Sequence, residues 1–190
     1  HSLKHNQANH KARHLKVVLL RKLEKYELAE NMISESLEWD LFNYGVRFER
    51  YLSDQNEAEM EKLKELMRED VHNYLEYSLD YAHAGLYDEA IRFLSIYMQD
   101  KKEVYPMAYY FLGYYSSHAE RHEDARYYFR QASKMPHDYC FPYMLEELLA
   151  LQQALEYHPH DAMTCYYLGN FWYGASHFDE AAYYWGVSKS

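Results

Sequence analysis

Twelve histidines and two cysteines are the residues in this chain whose chemistry could go beyond packing. His118-Ala-Glu-Arg-His122 puts two imidazoles at i,i+4, His158-Pro-His160-Asp161 adds a second group, and His10 and His14 form a weaker pair suited to adventitious metal. A structural or catalytic zinc needs three or four convergent ligands, and none of these spacings supplies them. Cys140 and Cys165 lie 25 apart with no CxxC, so they make neither a zinc ribbon nor a disulfide framework. Glu146 and Glu147 could serve as paired carboxylates, but neighbours on a helix point in different directions. Gly-rich phosphate loops, GxSxG and HExxH are all missing. The residues therefore point away from an enzyme, and they imply no cofactor and no metal.

The elements that would position these side chains show more order than the side chains do. Four cassettes recur: Tyr26-Glu-Leu-Ala29, Tyr87-Asp-Glu-Ala90, His122-Glu-Asp-Ala125 and Phe178-Asp-Glu-Ala181. Twelve positions before the alanine, three of them carry a residue suited to close packing: Ser78, Gly113 and Gly169. Small residues belong where two antiparallel helices cross closely. Acids beside the alanine belong in the first turn of the second helix, where the helix dipole favours negative charge. Few Gly and Pro, with frequent Ala, Leu, Glu and Lys, read as all-helical. The 23 tyrosines suit half-buried positions in a thin, layered structure, since each buries a ring and keeps a polar tip.

The net charge of −10 disfavours nonspecific nucleic-acid binding, despite a basic stretch from His10 to Lys25. Apolar runs are too short to span a bilayer. A start at His reads as a fragment of a longer chain. The compartment stays open, with a slight lean to the cytoplasm.

Tyr109, Leu112, Gly113, Ala125 and Phe129 follow the spacing W-x2-L-G…A-x3-F. Cys165, Leu168, Gly169, Trp172, Ala181 and Trp185 repeat it, and Tyr74, Tyr77, Ser78, Tyr81, Ala90 and Leu94 give a third copy. In these positions the chain resembles the tetratricopeptide (TPR) repeat proteins. The run Asp138-Tyr-Cys-Phe-Pro142 to Asp161, followed by Tyr166-Tyr-Leu-Gly-Asn170, further resembles the TPR region of large bacterial multidomain proteins with a carbohydrate-related part. That likeness implies an all-α, α-α superhelix of about eleven antiparallel helices. It would fill 1–190 as a single solenoid: degenerate repeats over 10–69, two clear repeats over 71–135, an irregular single-helix insert over 136–161, and a last repeat over 162–190. Over 10–69 the glycine slot holds Val17, and Phe42–Leu52 with Glu57–Arg68 make a shortened pair. Alanines 90 and 125 stand 35 apart, near the usual ~34, whereas 125 and 181 stand 56 apart. The extra residues read as one helix from Phe141 to Leu155, with Pro142 at its start.

In such proteins the first helix of each pair lines a concave groove that binds peptides. The matching positions here are His72 and Leu75; Met107, Tyr110, Tyr114 and His118; and Met163, Tyr166, Asn170 and Tyr173, with Tyr110, Tyr114, Tyr166 and Tyr173 as anchors. Of the Lys, Asn and Arg residues that clamp acidic chaperone tails in some relatives, Asn170 alone is matched. The resemblance implies a scaffold that takes a protein or peptide, including another domain of its own parent chain. The competing reading is a structural or self-associating accessory of a carbohydrate-processing enzyme, in which the Tyr-Tyr doublets merely serve two packing faces. The last helix, Phe178–Val187, ends without a cap and would leave Trp185 for a further repeat or a homodimer.

Overall fold

The computed structural model describes residues 2–99 and 101–189. Every regular element among them is a helix, and the chain divides into two compact units, His1–Leu86 and Tyr87–Ser190. Unit 1 holds α1 (Ser2–His5), α2 (His10–Lys22), α3 (Tyr26–Trp39), α4 (Tyr44–Asp54), α5 (Glu57–Met67) and α6 (Val71–His83). Unit 2 holds α7 (Tyr87–Met98), α8 (Pro106–His118), α9 (His122–Ala132), α10 (Leu145–Tyr157), α11 (Ala162–Gly174) and α12 (Phe178–Ser188). The division falls inside the stretch 71–98 that the spacing reads as one repeat.

Two kinds of helix start occur. Asn9, Asn43, Asn56, Asp70 and Asp161 cap α2, α4, α5, α6 and α11, each side chain accepting from a first-turn amide at 2.7–3.3 Å. Helices α3, α9 and α12 follow Lys25, Arg121 and His177, which make no side-chain cap. Their first turns carry Glu27, Glu123 with Asp124, and Asp179 with Glu180 instead. The cassette acids thus place charge where the capping oxygen is missing.

Helices pair in sequence: α2 with α3, α4 with α5, α8 with α9, and α11 with α12. All four cassette alanines, at 29, 90, 125 and 181, are buried. A Cβ on Gly113 would collide with the Phe129 ring, and one on Gly169 with the Trp185 indole. These are the spaced positions of the repeat, so α8–α9 and α11–α12 cross in the TPR-like manner. Ser78 is buried and donates back to the Leu75 carbonyl at 2.8 Å. Residues Glu24, Glu120 and Ser176 take positive φ (57°, 61° and 64°) in the turns within pairs, as Gly85 does at 74° after α6. In each turn the next amide donates five residues back: Lys25 to Leu20, Leu86 to Tyr81, Arg121 to Ser116 and His177 to Trp172. That closure is the Schellman motif.

Unit 1 packs Val17, Ala29, Ile33, Leu37 and Val46, with Leu20 and Met32 against them. Val17 in the glycine slot is therefore core. Close approach comes from Gly45 instead, where a Cβ would stand 2.6 Å from the His14 ring. Glu49 is fully buried and accepts from Arg21 Nε at 2.6 Å and from Tyr81 Oη at 2.8 Å.

In unit 2, α10 packs on α8 and α11. It begins at Leu145, three residues beyond Pro142, which corrects the sequence expectation. The Glu147 carboxylate accepts from the Tyr143 and Met144 amides at 2.7 and 2.8 Å, fixing the helix start there. The stretch before it stays non-helical, with Cys140 and Pro142 buried between exposed Tyr139, Phe141 and Tyr143.

Candidate functional site

Burial divides the ten expected groove residues. Leu75, Met107 and Tyr110 are buried at 1%, 0% and 0% exposure. The Tyr110 hydroxyl lies 3.0 Å from Thr164 Oγ1, which donates to Asp161 Oδ1 at 2.7 Å, so Tyr110 is the donor to Thr164. Its ring stands edge-on to Tyr167 at 5.8 Å. Burial leaves the phenol strongly disinclined to ionise. Tyr110 fastens α8 to α11, and a partner cannot reach it.

The other residues of unit 2 lie at the surface in three clusters. Tyr114 meets His118 at 4.2 Å and His118 meets Tyr87 at 5.0 Å, both ring pairs tilted by about 40°. His118 Nδ1 lies 3.0 Å from the Tyr114 carbonyl, which holds the imidazole over the end of α8. Tyr166 meets the edge of His137 at 5.9 Å. Tyr173, 57% exposed, touches Phe178 and Trp185, each at 5.5 Å. Asn170 accepts from Trp185 Nε1 at 3.2 Å, which takes up its carbonyl and ties α11 to α12. Met163 is half-buried, while His72, in unit 1, is exposed.

A more exposed set of rings was not picked out by the repeat register. Tyr139, Phe141 and Tyr143 are 91%, 65% and 71% exposed, and Leu145 at the start of α10 is 63% exposed. The unbroken apolar run from Tyr139 to Leu145 carried the signal, its exposed rings alternating with buried Cys140 and Pro142 along a non-helical stretch. A helix reading with Pro142 at its start hid it.

The histidines take separate tasks. His118 ends α8 and His122 begins α9, with His122 Nδ1 2.7 Å from the Tyr157 hydroxyl. Among the described residues, no group of three or more His, Cys, Asp or Glu side chains could hold a metal ion. Cys140 and Cys165 are buried free thiols, and burial pushes the Cys140 thiol up to about 12. Among the described residues no helix is long and apolar enough to cross a membrane.

No protein-family model matches the chain, and no curated protein matches it in sequence. Among solved structures it is similar to MamA MSR-1 C2, at 14% identity and a TM-score of 0.29, over 94% of each chain. That likeness is too low to carry an argument. The helix pairs themselves define the architecture: an all-α, TPR-like repeat fold.

Proposed function

We propose that the chain is a protein-interaction scaffold whose unit 2 docks a peptide or partner segment on surface aromatic rings. The observation that supports it most is the number of solvated rings in unit 2: Tyr139, Phe141 and Tyr143, together with the half-exposed Tyr114, Tyr166 and Tyr173. Aromatic side chains on rigid helices supply contact area at low entropic cost and dominate binding energy where they occur in interfaces. The exposed Phe178 and Tyr183 of α12, where only Ala181 is buried, favour self-association as the second reading.

A random-peptide library selected on the immobilised protein tests the first reading. Selected peptides should bind wild type at least 30-fold more tightly than the Tyr114→Ala/Tyr166→Ala double variant, at about 2 kcal/mol or more for an aromatic anchor. The melting temperature should stay close to that of wild type. Equal binding by both proteins would leave the rings as packing alone.

A further inference from the structure

We propose that a cleft of unit 1 is a binding site for a primary carboxamide, built on the His14 imidazole and the Asn43 NH2, which have no hydrogen-bond partner among the described residues. Both side chains are 1% exposed and both line a cleft of about 150 Å³ between α2, the start of α4 and α6. That is the size of an engineered cavity that takes up benzene. Neither His14 nitrogen and no proton of Asn43 Nδ2 has a hydrogen-bond partner among the described residues. Buried polar groups are overwhelmingly paired, because an unpaired one costs about 1–3 kcal/mol. Here two residues carrying three such atoms line one cleft.

Its walls are fixed. The His14 ring lies against the bare Cα of Gly45 and meets the Tyr81 ring edge-on at 4.7 Å. Asn43 caps α4, its Oδ1 accepting from the Val46 amide at 3.3 Å, so its NH2 is left to point elsewhere. At the rim, Lys11 pairs with Asp80 at 2.7 Å, His10 lies 3.8 Å from Asp40, and Glu76 adds a further carboxylate.

These groups define the ligand by what each lacks. The Asn43 NH2 needs an acceptor. A neutral imidazole needs one acceptor and one donor. An anion cannot donate to His14 and meets Glu76 and Asp80 at the rim. An ammonium suits the carboxylates but offers Asn43 nothing. A primary carboxamide, such as the end of a Gln or Asn side chain, supplies both: its carbonyl accepts from Asn43, and its NH2 donates to the bare imidazole nitrogen and toward Glu76.

Three probes sharing one carbon skeleton test this: propionamide, propionate and propylammonium, each titrated into the intact protein at neutral pH. The readout is the His14 Cε1–H signal in ¹³C-histidine-labelled protein, assigned with His14→Gln. The expected result is a saturable shift with propionamide, at least tenfold tighter than with either charged probe. Asn43→Asp keeps an N-cap oxygen for Val46 but removes the donor, and should weaken propionamide at least tenfold. A linear or missing response to propionamide, equal responses to all three probes, or undiminished binding by Asn43→Asp would each overturn the site and leave the cleft to water.

Discussion

At the scale of single residues, buried polar groups shape the behaviour of unit 1 more than its exposed charges do. His14 is enclosed by Tyr77, Tyr81, Gly45 and Asn43, with His10, Lys11, Glu76 and Asp80 at the cleft rim. Desolvation lowers its folded pKa from 6.5 to about 3. The unfolded chain therefore takes up a proton below about pH 6.5 while the folded chain does not. Stability is complete above that pH and falls by up to about 1.4 kcal/mol per unit from pH ~6.5 toward ~3. Urea unfolding of wild type and His14→Phe at several pH values in that range should show a steeper loss in wild type. Parallel curves would mean that His14 is hydrated in the folded state. Glu49 carries a different liability: its carboxylate is fully buried and held by Arg21 and Tyr81. Arg21→Met should cost about 3–5 kcal/mol in unfolding free energy, because a buried carboxylate is left without its cation. A loss under 1 kcal/mol would show that the charge of Arg21 is unimportant to Glu49. None of this was readable in the sequence, where His14 is one half of an i,i+4 pair and Glu49 one acid in an amphipathic helix. Burial of a polar atom follows from which helices converge on it, and periodicity within one helix does not carry that information.

Helices and turns are where the sequence was most legible. Gly113, Gly169 and the four cassette alanines stand where the spacing placed them, because a close crossing tolerates no larger side chain whatever the rest of the helix contains. Gly113→Ala should destabilise by about 1–3 kcal/mol, since Phe129 is buried and cannot yield. Gly186→Ala in α12 meets open space and should stabilise by up to about 1 kcal/mol through helix propensity. Thermal melts of the two variants should move in opposite directions, and a shared direction would remove the crossing as the cause. The repeat register failed at Val17, which it placed in a small-residue slot, and at Pro142, which it placed at the start of a helix. In the first case the close approach to α2 comes from α4, not from its paired helix α3, with Gly45 set against the His14 ring. In the second the carboxylate of Glu147 reaches back to two amides and sets the helix start later. Both are long-range or side-chain-to-backbone effects that a one-dimensional spacing does not encode.

For the molecule as a whole, the four cassettes identified an all-helical repeat protein, while its division into two compact units within a single repeat was invisible to them. The end of unit 2 is the place where the repeat logic makes its last demand. In each earlier pair the second helix buries several side chains, as α9 buries Ala125, Phe129 and Ala132, whereas α12 buries Ala181 alone. Phe178 and Tyr183 stand 60% and 66% exposed, and burying two such rings at ~25 cal/mol per Å² is worth several kcal/mol. With a net charge of −10, copies repel at low ionic strength, so apolar pairing through α12 should strengthen as salt rises. Sedimentation equilibrium over a hundredfold range of concentration, at low and physiological salt, should show mass rising with concentration more steeply at the higher salt. Phe178→Glu with Tyr183→Glu, both at solvated positions, should abolish that rise and leave the circular dichroism spectrum intact. A mass that stays monomeric throughout, or association that survives the double substitution, would mean that α12 is content in water and that its rings are tolerated singly, as scattered surface apolar groups are.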